Sequence, residues 1–268
     1  MIRTCRCVAL LLTLSLGLAA CEDDDGPPAD PTSGCGQDPG LPTGQWVERS
    51  VTAGGTSRVY FVWLPEGYDP DRAYPVVYQF HGCSDDRETN NVPVQSESGD
   101  DAIHVRGRAI ERCWEYDTGT ALFDAMVPQI EADFCVDASR RFATGYSSGS
   151  FLAHHLACVR GDLLRGVATI AGGQAGSSCV GQVAALLIHD EDDTTVDIAQ
   201  SEAARDRYLA ANGCDLTAAP IPTEPPPCVR YVGCATGFPV VWCQTSGQSH
   251  ARQDSLAAPA FWNFLSAL

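Results

Sequence analysis

From residue 57 to the C-terminus, short runs rich in β-branched and aromatic residues alternate with longer segments of helical period, and no other feature narrows the fold as much. SRVYFVWL (57–64) has the content of a strand and is closed by Pro65 and Gly67. PVVYQF (75–80) is a continuous apolar run of the kind a buried central strand needs. AIHV (102–105), RRFAT (140–144), GVATIA (166–171), VAALLIH (183–189) and PVVWCQ (239–244) complete the strand series. Residues 120–134 set Leu122, Phe123, Met126, Val127 and Ile130 at helical spacing, and Phe151 to Val159, 199–211 and 255–267 read as further helices. PIPTEPPPC (220–228) has too many prolines for either element and reads as an irregular connection. This order predicts one α/β domain over residues 41–268, with a mostly parallel sheet and helices on both faces.

The chain ahead of that domain has a different character. Arg3 and Arg6 precede an apolar run from Val8 to Ala19, well short of the ~20 residues that span a bilayer, so residues 1–20 read as an export signal. The run ends in Leu18-Ala19-Ala20-Cys21, which resembles the lipobox of bacterial lipoproteins and implies acylation of Cys21; an ordinary cleavage site is the alternative. That lipid would be the only membrane contact. Residues 22–40 are acidic, rich in Pro and Gly, and almost free of apolar side chains, so 21–40 reads as a tether.

Charge and cysteine content remove several classes of function. The formal net charge of −17 disfavours binding to phosphate backbones, which excludes nucleic acid as a partner. All 17 basic residues are arginine, so lysine Schiff bases, Ser-Lys dyads and phosphate-gripping Walker lysines are excluded. Setting aside Cys5, Cys7 and Cys21 leaves Cys35, Cys83, Cys113, Cys135, Cys158, Cys179, Cys214, Cys228, Cys234 and Cys243. An even set in an exported chain points to several disulfides, and no Cys-x-x-Cys pair favours zinc. The acidic clusters at 22–25 and 190–193 lack the glycine and terminal glutamate of an EF-hand.

In open parallel sheets, chemistry collects at the carboxyl ends of the strands. The strand at 140–144 runs into Gly145-Tyr146-Ser147-Ser148-Gly149 and then a helix, the pattern of a sharp turn that lifts a serine hydroxyl into the open. A serine needs a base, and the base an orienting acid. The strand at 183–189 runs into four acidic residues, of which Asp193 is far enough past the strand to turn back over the sheet; Asp190 and Asp192 stay open. His250 follows the strand at 239–244, in a polar loop ahead of the last helix. The order Ser147, Asp193, His250 is that of α/β-hydrolase triads. Gly82 permits a sharp turn after the strand at 75–80, so the amides of Cys83 or Ser84, with that of Ser148, are candidate oxyanion donors. If Cys83 acts through its amide, its thiol need not be bridged, and a free Cys83 stays open. His81 and His189 end strands and read as structural, as do His154 and His155; Trp114, Tyr116 and Trp242 read as core or rim aromatics.

PVVYQFHGC, RRFATGYSSGSFLAHHLAC, HDEDDTTV and SGQSH together resemble the secreted esterase family of feruloyl esterases and polyhydroxyalkanoate depolymerases. The acidic loop of that family commonly reads His-Gly-x-x-Asp-x-x-Val. His189, Asp193 and Val196 match it, which favours Asp193, while Asp190 stands where glycine is usual. CGQDPGLPTGQW with SRVYFVWLPEGYDP resembles feruloyl esterase members, and the HGC turn the depolymerases. The resemblance runs from about Cys35 to the C-terminus, with 84–118 and 214–235 poorly matched. It implies an exported serine carboxylesterase of α/β-hydrolase fold, a monomer without metal or organic cofactor. The implied substrates are hydroxycinnamoyl esters on plant cell-wall polysaccharide such as xylan. Polyhydroxybutyrate, acetyl-xylan and acyl transfer to an envelope acceptor are the alternatives, and a non-catalytic binding protein on the same scaffold is disfavoured by the complete triad.

Overall fold

The computed structural model describes residues 30–173 and 179–268. Along the described chain come β1 (Trp46–Ala53), β2 (Thr56–Trp63), β3 (Tyr74–Phe80), the one-turn α1 (Gln95–Ser98), β4 (Ile103–Gly107), α2 (Tyr116–Asp133), β5 (Val136–Tyr146) and α3 (Ser148–Val159). Then follow β6 (Gly166–Ile170), β7 (Ala184–Asp190), α4 (Ile198–Ala211), β8 (Ile221–Pro222), β9 (Val229–Arg230), β10 (Val240–Thr245) and α5 (Asp254–Ser266). The strands form one sheet in the order β1-β2-β4-β3-β5-β6-β7-β10-β9-β8. The six central strands, β4 to β10 in that order, are mutually parallel, and the flanking strands pair antiparallel.

The central strands are buried on both faces, which is why their sequences are continuous apolar runs without alternation. Successive residues of β3 still serve different cores. Tyr78 and Phe80 pack with Leu122, Phe123 and Met126 of α2, Leu152 and Leu156 of α3, and Tyr208 of α4. Val77 packs on the other face with Phe142, Ile170, Ile188, Phe261 and Leu265 of α5. Each such side chain taken fully out of water contributes about 1.5–3 kcal/mol before entropy is counted. The parallel register sets Phe80 beside Gly145, Tyr146 beside Ile170, and Thr245 beside Asp190. The carboxyl ends of β3, β5, β7 and β10 thereby form one edge.

Four expectations need correction. β1 is an additional strand, closed onto β2 by Gly54 and Gly55, both at positive φ; that Gly-Gly pair is the hairpin signal the sequence offered. The proline-rich stretch 220–228 is not wholly irregular: Ile221–Pro222 pairs with Val229–Arg230 as an edge hairpin, where missing amides cost little. The second half of the tether is held against the domain: Pro31 bridges Asp137, the Thr32 amide donates to the Val136 carbonyl, and Cys35 is bonded to Cys135. Residues 21–29 of the tether, the export signal and Cys21 lie outside the described residues. Finally, Cys83 is no free thiol. It is bonded to Cys113, because the turn after β3 and the segment before α2 meet above the sheet. Cys158–Cys179, Cys214–Cys234 and Cys228–Cys243 complete the set, which uses all ten cysteines among the described residues, Cys35 of the tether included.

Candidate active site

β5 leaves the sheet at Tyr146, and α3 begins two residues later. Ser147 is forced between them at φ 52°, ψ −117°, a backbone region that side chains disfavour by about 1–3 kcal/mol. The glycines on either side are steric requirements. A Cβ at Gly145 would sit 2.2 Å from the Gly149 carbonyl oxygen, and one at Gly149 would sit 1.9 Å from that of Phe80. The Ser147 amide donates to the Ile170 carbonyl at 3.0 Å, which pins the turn to β6. Close packing and this bond hold a conformation the chain would otherwise leave.

Ser147, Asp193 and His250, more than a hundred residues apart at their extremes, meet at this turn. The Ser147 hydroxyl donates to His250 Nε2 at 2.9 Å, and His250 Nδ1–H donates to Asp193 Oδ2 at 2.7 Å. Asp193 Oδ1 accepts the amides of Thr195 at 2.8 Å and Val196 at 2.9 Å. Burial pushes the Asp193 carboxyl upward, but the Val196 amide, the His250 imidazole and the Thr195 amide outweigh it and hold the carboxyl below its ordinary value. Asp193 is thus a fixed carboxylate aimed at one ring nitrogen of His250.

The other acids of that loop have separate partners. Asp190 is buried and accepts four hydrogen bonds: the Thr245 hydroxyl at 2.8 Å and the amides of Gln248 at 3.0 Å, Ser249 at 2.9 Å and Asp192 at 3.1 Å. Burial again raises its carboxyl and these donors lower it further than burial raises it. Asp192 accepts the Gly247 amide at 2.8 Å. Both therefore grip the backbone of the loop that carries His250. Tyr146 adds a third hold, its hydroxyl donating to the His250 carbonyl at 3.0 Å. The sequence offered no sign of these positioning roles, because they depend on two loops meeting.

The remaining histidines are occupied. His81 accepts the Ala109 amide on Nε2 at 3.1 Å and donates from Nδ1 to the Gly82 carbonyl at 2.7 Å; burial pushes its pKa down to about 4. His154 sits between Tyr208 and Thr169, and His104 between Gln79 and Ser98; burial pushes each down to about 3. His189 contacts Ser201 and the Val196 carbonyl, with Nε2 3.4 Å from Asp193. Trp114 and Trp242 are buried, whereas Tyr116 is exposed and stacks on His155 at 4.4 Å.

On the facing turn, the Gly82 amide donates to the Asn90 carbonyl and the Ser84 amide to the Arg112 carbonyl, both near 3.0–3.1 Å. Ser148, the first residue of α3, belongs to the turn whose amides have no partner within the helix. Its side-chain oxygen accepts the Trp114 amide at 2.8 Å.

Residues 51–260 match the model of the Esterase family, described as "Putative esterase". The chain is 30% identical to Feruloyl esterase D of Neurospora crassa, over 89% of this chain and 91% of that protein. It is 33% identical to Probable feruloyl esterase C of Aspergillus terreus, over 68% and 70%. Among solved structures, the feruloyl esterase module from Clostridium thermocellum complexed with sinapinate superposes with a TM-score of 0.59 at 15% identity, covering 88% of this chain and 95% of that one. Acetyl xylan esterase from Aspergillus awamori gives 0.64 at 14% identity, covering 81% and 99%. These two likenesses concern the fold, whereas the family match and the relatives near 30% identity concern descent. The chain belongs to the Esterase family and is a carboxylic ester hydrolase with the α/β-hydrolase fold.

Proposed function

We propose that ester cleavage runs through Ser147 as nucleophile, His250 as general base and acid, and Asp193 as the group that orients and stabilises the imidazole. The observation that carries this reading is His250, which bridges the Ser147 hydroxyl and the Asp193 carboxylate through its two ring nitrogens. Ser147 Oγ bonds to the ester carbonyl carbon while its proton passes to His250 Nε2. The carbonyl π electrons move onto oxygen, where the amides of Cys83 and Ser148 receive the charge. Of the two donors read on the facing turn, Cys83 is preferred, because the Ser84 amide already serves Arg112. One such donor is worth ~3 kcal/mol of transition-state stabilisation. The alcohol leaves with the proton from His250, and a water molecule activated by the same imidazole frees the acid.

Hydroxycinnamoyl esters of plant cell-wall polysaccharide such as xylan are the preferred substrates. The relatives at 30–33% identity carry feruloyl esterase names. The segment that reaches Ser148 also exposes Ile110 and Tyr116, apolar surface suited to an aromatic acyl group. The proposal extends to location. Residues 1–20 act as export signal and Cys21 as the lipid-bearing first mature residue, and the disulfides suit an oxidising compartment. Loss of fatty-acid labelling in Cys21→Ser tests that part.

The deciding experiment compares methyl ferulate, a hydroxybutyrate oligomer and acetyl-xylan side by side, using wild type and Ser147→Ala. Methyl ferulate is expected to be cleaved with the highest kcat/KM, and Ser147→Ala to lose at least ~10³-fold on each. Full activity in Ser147→Ala would overturn the mechanism; preference for either other ester would overturn the substrate alone. Ester transfer to an added sugar or lipid acceptor would show a transferase.

A further inference from the structure

The Cys83–Cys113 disulfide lies at the junction of two segments that the proposed chemistry needs in register. Residues 81–94 contain no helix or strand, yet this turn must hold the Cys83 amide at a fixed point. Beside Cys83, the Ser84 amide donates to the Arg112 carbonyl at 3.0 Å. One residue past Cys113, the Trp114 amide donates to Ser148 Oγ at 2.8 Å, and its indole N–H donates to the His81 carbonyl at 3.0 Å. A short covalent and hydrogen-bonded circuit therefore runs from the residue after the nucleophile, through 112–114, to the turn after β3. The two candidate oxyanion donors lie at its ends.

We infer that the Cys83–Cys113 disulfide is a positioning element for oxyanion stabilisation, holding the Cys83 amide in register with that of Ser148, and that opening it slows turnover. The inference rests on the nucleophile and oxyanion assignment above. Donors of this kind act only when fixed within a few tenths of an ångström of where the charge develops. An irregular turn without the covalent tie loses that precision while the sheet beneath stays folded. The bridge is also accessible. Of the five disulfides among the described residues, it is the one whose two cysteines are both exposed. An external dithiol would meet it first. Two electrons and two protons then pass to the bridge, the S–S bond breaks into two thiols, and the dithiol closes into its own disulfide.

The test pairs Cys83→Ala/Cys113→Ala with Cys214→Ala/Cys234→Ala, which removes a bridge outside the circuit. Thermal unfolding, kcat and KM on a soluble nitrophenyl ester, and affinity for a phenylboronic acid that forms a tetrahedral adduct with the serine are measured on each. The first variant is expected to lose kcat by roughly 10–100-fold and boronate affinity by a similar factor, with KM within about threefold. The second is expected to keep both. Unchanged kcat and boronate affinity in the first variant, or an equal loss in the second, would overturn the positioning role and leave the triad standing. An active Ser147→Ala would remove both together. If the double variant does not fold, wild type is titrated with dithiothreitol and alkylated. Activity loss that tracks alkylation of Cys83 and Cys113 supports the inference, and full activity with both alkylated sinks it.

Discussion

Asp190, Asp192 and Asp193 lie within four positions, carry the same functional group and have different partners. Asp193 faces the imidazole, while Asp190 and Asp192 accept backbone amides of the His250 loop. Replacement by asparagine separates these roles. Asp193→Asn keeps the shape but offers no charge to an imidazolium, so kcat is expected to fall ~10³–10⁴-fold with little change in Tm. Asp190→Asn can keep only part of four hydrogen bonds. It is expected to lose about 2–3 kcal/mol of stability, the scale of charge-assisted hydrogen bonds, with a smaller drop in kcat. Calorimetry and steady-state kinetics on both variants decide it, and the reverse pattern would exchange the two assignments.

At the scale of elements, the turn between β5 and α3 concentrates strain on one residue. Ser147 occupies φ 52° and Gly149 leaves no room for a Cβ. Opposite effects are therefore expected from two small changes. Ser147→Gly abolishes hydrolysis yet relieves the backbone, raising stability by ~1 kcal/mol and Tm by ~2–4 °C. Gly149→Ala drives a methyl group into the Phe80 carbonyl and is expected to cost about 3 kcal/mol or more. A differential scan of the purified variants reads both shifts. A fall in Tm for Ser147→Gly would mean the serine side chain stabilises the turn rather than being imposed on it.

Over the whole molecule, acid sensitivity follows from buried neutral histidines. Burial lowers His104 and His154 to about 3 and His81 to about 4, against ~6.5 in an unfolded chain. Between these values the unfolded state binds more protons, so stability rises with pH there. Their contribution is complete above about pH 6.5 and is lost progressively as the pH falls toward 4 and 3. Tm is expected to decline through that window, and His104→Gln to flatten the decline; an unchanged slope would overturn the assignment. Much of the architecture was legible beforehand, because strands buried on both faces must be apolar runs and helices covering them must carry one apolar stripe. Gly145, Ser147 and Gly149 were legible for a similar reason, since a tight strand-to-helix turn admits few residue types. The pairing of Cys83 with Cys113, the division of labour among the acids, and the docking of residues 30–40 were not. The sequence by itself determined the central strands and the long helices between them, the turn at Ser147 and the kinds of residue at each strand end, all set by local sterics and hydrophobic period. Only the tertiary structure decided which acid faces His250, which amide on the turn is unspent and which cysteines meet, because each depends on loops distant in sequence converging at one edge of the sheet.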